Sequence, residues 1–174
     1  CFLARISDDL KTLKASTYFG GSGNDGCGVV FPDTANSEIR LTGTTTSGAT
    51  ISGTTFTNLP GISATSAQQT NGGGSFSGDC FAARIKDDLS AVLRSTYFGG
   101  PKDEFSCLSF GNRSDNASEF YLIGTTTGTG LPSTGGGAQP NFGGGNDDGF
   151  IARVKTDLTS IPQATYIGGN ASGS

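Results

Sequence analysis

The sequence predicts an all-β protein built from repeated units of short strands. Three observations carry this. A long sentence recurs three times: Cys1-Phe2-Leu3-Ala4-Arg5-Ile6 leading to Ser16-Thr17-Tyr18-Phe19-Gly20-Gly21, Cys80-Phe81-Ala82-Ala83-Arg84-Ile85 leading to Ser95-Thr96-Tyr97-Phe98-Gly99-Gly100, and Gly149-Phe150-Ile151-Ala152-Arg153-Val154 leading to Ala164-Thr165-Tyr166-Ile167-Gly168-Gly169. In each copy the tyrosine follows the first residue by 17 positions, and self-similarity of this kind marks a repeat architecture. Apolar residues alternate with period two inside the sentence, as in a strand, and no segment carries a helical stripe.

The elements follow in order. Phe2, Ala4 and Ile6 alternate with Leu3 and Arg5, giving a first strand that recurs in both later copies. Asp8-Asp9-Leu10, Asp87-Asp88-Leu89 and Thr156-Asp157-Leu158 read as polar turns. A second strand is expected at 13–19, 92–98 and 161–167, ended by Gly-Gly, which permits a sharp reversal. A third starts at Cys27-Gly28-Val29-Val30-Phe31 and at Cys107-Leu108-Ser109-Phe110. The Asn/Ser/Asp-rich segments 33–37 and 111–118 read as hairpin turns. The fourth strand is Ile39-Arg40-Leu41-Thr42-Gly43, echoed by Phe120-Tyr121-Leu122-Ile123-Gly124.

Long loops at 44–78 and 125–147 follow. They keep common landmarks: Leu59-Pro60, Ala67-Gln68 and Gly72-Gly73-Gly74 match Leu131-Pro132, Ala138-Gln139 and Gly143-Gly144-Gly145. A defined loop path is therefore expected. The units divide as 1–79, 80–148 and a partial unit at 149–174.

Composition bounds function. The chain of 174 residues has 29 Gly, no His, no Trp and no Met; 33% of it is apolar and 15% charged. Such a chain builds thin sheets with small inward side chains rather than a thick core. Disorder is the alternative for a Gly/Ser/Thr-rich chain, and the evenly placed Phe, Tyr, Ile and Val confine it to loops. The net charge is −4 and the 11 basic residues are scattered singly, so nucleic acid is not an expected partner. No apolar run approaches the roughly 18 residues that span a bilayer. No secretory leader is present, so a secreted protein would be represented here by a mature or excised piece.

Four cysteines allow three pairings. Cys1 and Cys80 share one repeat position, and Cys27 and Cys107 share another, so repeat symmetry favours Cys1–Cys27 and Cys80–Cys107. The alternative is buried free thiols. Disulfides imply an oxidising compartment, and each would add about 3 kcal/mol in the chain-entropy model. Zinc is not expected, with no Cys-x-x-Cys and no His.

Four short strands per unit with Gly-rich turns between units fit the blade of a β-propeller. Here the chain resembles a known family. Asp79 to Arg84 (Asp-x-Phe-x-Ala-Arg), Ser95 to Gly100 (Ser-Thr-Tyr-Phe-Gly-Gly), Ile123 to Thr126 and Pro132 to Gln139 look like the bacterial β-propeller repeat called SBBP, over nearly the whole chain. The resemblance implies a large secreted or surface protein and implies no reaction and no catalytic residues. The cysteines and the extra residues of the first long loop depart from the family pattern. In propeller strand order, the repeated sentence supplies the two outer strands of a blade, and the Cys27 and Cys107 segments begin the inner hairpin of the next. Ten strands then make about two and a half blades, fewer than the four to eight that usually close a ring. The expectation is a chain that docks or polymerises through incomplete terminal blades, or that belongs to a longer parent.

Candidate chemistry is sparse. Without His there is no general base poised near neutrality, and no enzyme activity is expected. Asp8-Asp9 and Asp87-Asp88 recur at one turn position, which suits a turn better than an acid/base pair. No Ser sits in a Gly-x-Ser-x-Gly elbow. No cofactor is assigned; calcium is the one cation with candidates, at Gly20-Gly21-Ser22-Gly23-Asn24-Asp25 and Asn146-Asp147-Asp148. Asn112, Asn116 and Asn170 open Asn-x-Ser triplets and are candidate glycosylation sites, the first two in a predicted exposed turn. Thr44-Thr45-Thr46 and Thr125-Thr126-Thr127 could carry O-linked sugars, although β-propensity explains them better. Tyr18, Tyr97 and Tyr166 recur at one position, as inter-blade core or as repeated sugar-binding pockets. The leading expectation is a secreted structural or adhesive repeat protein, a surface or filament subunit. The alternatives are a carbohydrate-binding propeller with glycan partners, or a fragment of a larger surface protein.

Overall fold

The computed structural model describes residues 1–170. Among these there are twelve strands and no helix. In chain order they are β1 (Phe2–Ile6), β2 (Leu13–Tyr18), β3 (Asp25–Asp33), β4 (Glu38–Thr45), β5 (Thr50–Ile51), β6 (Thr54–Thr55), β7 (Asp79–Lys86), β8 (Val92–Phe98), β9 (Glu104–Asn112), β10 (Glu119–Thr126), β11 (Asp148–Lys155) and β12 (Gln163–Ile167). They form four antiparallel sheets, none closed. The N-terminal hairpin is β1-β2, the central sheet runs β3-β4-β7-β8, the C-terminal sheet runs β9-β10-β11-β12, and β5-β6 is a small hairpin inside the first long loop.

Two details sharpen the sequence reading. The inner strands begin earlier, at Asp25 and Glu104, because each acidic side chain is tied to the facing strand: Thr45 Oγ1 donates to Asp25 Oδ1 (2.5 Å) and Thr126 Oγ1 to Glu104 Oε1 (2.7 Å). The polar turns are closed by leucines. Leu10, Leu89 and Leu158 adopt φ of 59°, 63° and 60°, in the left-handed region that costs a leucine energy. The preceding aspartate holds each turn: Asp9, Asp88 and Asp157 accept from the backbone N–H of Lys11, Ser90 and Thr159. This is an Asx turn, and it explains why the second acidic position is filled in all three copies.

Register repeats as faithfully as sequence. Glu38↔Lys86 through Thr45↔Asp79 align β4 with β7, and Glu119↔Lys155 through Thr126↔Asp148 align β10 with β11. The recurring glycines follow from this register. Gly43 faces Phe81 and Gly124 faces Phe150 across the strand pair, and a Cβ would come within 2.9 Å and 2.8 Å of those rings. The strands alternate between two cores. On β7, Phe81, Ala83 and Ile85 face the N-terminal hairpin and pack with Leu3 and Phe19. Cys80 and Ala82 face the other way and pack with Phe120, Phe150 and Tyr166 of the C-terminal sheet. The Phe19 and Phe81 rings stack at 5.3 Å, and Phe98 meets Phe150 at 5.0 Å. The three main sheets thus stack face to face, with a thin apolar layer at each of two junctions.

Candidate functional site

The repeated sentence supplies one set of residues whose surroundings can be followed from copy to copy. In β11-β12 and β7-β8, Phe150, Val154, Phe81 and Ile85 are buried against the preceding sheet. The corresponding face of β1-β2 is open: Phe2 is 69% exposed, Leu10 79% and Tyr18 88%. Leu158 of the third turn is buried, whereas Leu10 is not.

The tyrosines show what the shared position does. The backbone N–H of Leu59 donates to the Tyr97 hydroxyl (3.1 Å), which donates to Asn58 Oδ1 (3.3 Å). The backbone N–H of Leu131 donates to the Tyr166 hydroxyl at 3.1 Å. Both hydroxyls clip the Leu-Pro landmark of a long loop. Burial pushes the Tyr97 pKa up to about 12, so the phenol stays a neutral clip. The rings of Tyr97 and Tyr166 are buried and present no surface for stacking a sugar.

The Ala-Gln landmark covers the outer sheet edge. The N–H of Gln68 donates to Thr96 Oγ1 and the N–H of Tyr97 to Gln68 O; Gln139, Thr165 and Tyr166 repeat both bonds. The Gln side chains accept from the N–H of Gly99 and of Gly168. Each loop therefore runs along an edge strand and occupies hydrogen-bonding groups that would otherwise invite another strand. The arginines follow the same logic. Arg84 makes a two-pronged pair with Glu38 at 2.8 Å and Arg153 pairs with Glu119 at 2.9 Å, each across to the neighbouring strand. Among the described residues Arg5 pairs with no carboxylate; its guanidinium donates to Asp87 O at 3.5 Å.

All four cysteines are paired, as Cys1–Cys27 and Cys80–Cys107, with Cα separations of 5.8 Å and 5.5 Å. Cys1, just ahead of β1, is tied to β3 of the central sheet, and Cys80 of β7 is tied to β9 of the C-terminal sheet, so both junctions between main sheets are stapled. In the third copy Gly149 replaces the first cysteine, leaving no such staple.

A pair of acids that sequence reasoning did not single out lies between the central and C-terminal sheets. Asp79 and Glu104 are fully buried on either side of Gly99, where a Cβ would collide with both. Asp79 Oδ2 accepts from Gly72 N–H (2.8 Å) and Gln68 Nε2 (3.0 Å), while Oδ1 has no partner. Burial raises Asp79 to about 7 despite those donors. Burial raises Glu104 to about 9, with the Thr126 hydroxyl pulling down and Asp79 adding to the rise. Glu104 therefore keeps its proton at neutral pH. Nearby Asp103 behaves oppositely: burial pushes it up, but N–H donors from Ser75, Phe76, Ser77 and Gly78 outweigh this and hold it below the usual range. The available signal was positional, since an acidic residue precedes the repeated sentence at both Asp79 and Asp148.

Two of the acids among the cation candidates take internal donors, although Oδ1 of Asp148 has no partner among the described residues. Asp25 accepts from Thr45, Ser47 and Gly21, and Asp148 is buried and accepts from Gly143 N–H. Among the described residues, no three acidic or cysteine side chains cluster so as to hold a metal. The glycosylation candidates separate. Asn112 is the last residue of β9 rather than part of the turn, because β9 continues until its Oδ1 accepts from Nη1 and Nη2 of Arg40, each at 3.2 Å. Asn116 does lie in the turn and accepts from the Ser118 hydroxyl at 2.6 Å. Asn170 is exposed, and the rest of its triplet falls outside the described residues. No protein-family model matches the chain, and no curated protein matches it.

Proposed function

We propose that this chain is a secreted, non-enzymatic structural or adhesive protein built from propeller-type blades of the SBBP kind, serving as a surface or filament subunit. The observation that carries the reading is the open face of the N-terminal hairpin, whose residues are core wherever another sheet precedes them. Sheets of two, four and four strands agree with one half-blade followed by two blades. Two disulfides are typical of extracellular proteins, and no helix among the described residues is long and apolar enough to cross a membrane. The recurring residues have structural uses: clips, staples, ion pairs and turn closures.

Electron microscopy of the oxidised, purified chain tests this. Fibres or regular multi-subunit particles are the expected result, and a uniform field of isolated monomers at every concentration contradicts it.

A carbohydrate-binding role has one observation in its favour. The exposed rings of Tyr18 and Phe76 border an open groove of about 800 Å³ that also presents Asn24, Asp25 and Thr44. At the next repeat position the chain's own Gln68–Gly72 loop fills the equivalent space, so the first reading is preferred. A glycan array with Tyr18→Ala as control separates the two: sugar binding lost in the variant favours the groove, and an array without hits removes it.

A further inference from the structure

We infer that the outward face of the C-terminal sheet docks the open face of the N-terminal hairpin of a second copy of this chain. The inference rests on the subunit reading above and names its partner and its two surfaces.

The first surface is a row across the C-terminal sheet. Leu108, Ile123, Ile151 and Thr165 are neighbours in register, and paired residues share a face. Phe110 and Tyr121 extend the same face, with Phe110, Tyr121, Ile123 and Ile151 lining a depression of about 470 Å³. Phe110 is 55% exposed and Ile167, at its edge, 54%. The corresponding row of the central sheet is Val29, Thr42, Ala82 and Thr96. That row is covered by the C-terminal sheet, with Thr42, Ala82 and Thr96 buried. The outward row is thus more apolar than its buried counterpart: Ile123 stands where Thr42 does, and Ile151 where Ala82 does. A face that water covered permanently would gain nothing from this exchange, since each added aliphatic group is stabilising only when removed from water.

The second surface is the open face of β1-β2. Phe2↔Tyr18, Ala4↔Ser16 and Ile6↔Leu13 are paired and share that face. Small Ala4 and Ser16 lie between large neighbours, and Phe2, Ser16 and Tyr18 border a depression of about 310 Å³. In the third copy this face carries Phe150, Ala152, Val154 and Tyr166, and it packs on Cys80, Ala82 and Phe98 of the preceding sheet. The occupant of the open face is therefore specified by the molecule itself: the outward face of a sheet of the same kind. The outward face of the C-terminal sheet is such a surface, with Ile151 in the place of Ala82.

The two surfaces differ, so the contact is head to tail and each copy offers one of each; such contacts extend into rings or filaments. Gly149 in place of the stapling cysteine makes this junction non-covalent, unlike the two inside the chain.

The test uses the oxidised full chain and light scattering over a wide concentration range. Two variants each add negative charge at exposed positions: Phe2→Asp with Tyr18→Asp for the head, Phe110→Asp with Ile167→Asp for the tail. Circular dichroism and thermal melts confirm that both remain folded. The wild type should gain mass with concentration, and each variant alone should lose association by about thirtyfold or more, as central interface residues do. Mixed together, they should form a one-to-one dimer and stop, because only one intact head and one intact tail remain. Assembly that survives both variants would overturn the face pairing while leaving the subunit reading in place. A wild-type chain that stays monomeric throughout would overturn both.

Discussion

The N-terminal hairpin and the outer halves of the two larger sheets carry nearly the same residues in opposite circumstances. Phe2, Arg5, Leu10 and Tyr18 are exposed; Phe150, Leu158 and Tyr166 are buried, and Arg153 is paired with Glu119. The difference teaches that in a repeat protein a residue's worth lies in its neighbour. A phenylalanine is core only if a sheet lies against it, an arginine is an ion pair only if the Glu-bearing strand lies beside it, and a tyrosine is a clip only if a loop reaches its hydroxyl. Stability in such arrays is accordingly close to a sum over unit and junction terms.

The largest contrast is expected from the phenylalanines. Phe150→Ala should cost about 3–5 kcal/mol in denaturant unfolding, as large-to-small core changes do. Phe2→Ala in dilute monomer should stay within about 0.5 kcal/mol, as an exposed change does. Equal costs would break the comparison. The staples come next. Replacing Cys80 and Cys107 by Ala should lower stability by about 3 kcal/mol and loosen the junction between the two larger sheets. Replacing Cys1 and Cys27 should act locally, raising amide exchange in β1-β2 while leaving β9–β12 protected.

A pH dependence follows at the stapled junction. Unfolded Asp and Glu titrate near about 4. In the folded chain Asp79 titrates at about 7 and Glu104 at about 9, both raised first by burial. The folded state therefore binds these protons more tightly. Their contribution is full below the unfolded values and is lost as pH rises through about 7 and then about 9. Denaturation midpoints should fall across that window, and Asp79→Asn with Glu104→Gln should flatten the decline. A midpoint rising with pH there would contradict the assignment. The smallest contrast is in the clips: Tyr97→Phe should cost about 1 kcal/mol by orphaning the buried N–H of Leu59, while Tyr18→Phe should cost nothing measurable.

What could be read from the sequence was local or repeated. The period-two runs placed β1, β7 and β11, and the shared cysteine positions gave the pairing found. What could not be read depended on distant partners. The Arg84–Glu38 pair spans 46 positions, and nothing in Phe-Ala-Ala-Arg announces its glutamate. Asn112 reads as part of a turn by composition, whereas its strand is prolonged by a contact with Arg40, 72 residues away. The hairpin β5-β6 has strands of two residues each, too short for any periodicity. Asp79 is marked only by its place before the repeated sentence and Glu104 by nothing local, because the signal of a buried acid is its burial.

The most direct test uses the four tyrosines as reporters: Tyr18 on the head, Tyr121 on the tail, and Tyr97 and Tyr166 in the cores. Nitration followed by peptide mass mapping reads each one separately. In dilute chain, Tyr18 and then Tyr121 should react while Tyr97 and Tyr166 stay protected. In concentrated chain, Tyr18 and Tyr121 should become protected together. A Tyr18 that reacts equally fast at both concentrations would contradict the account.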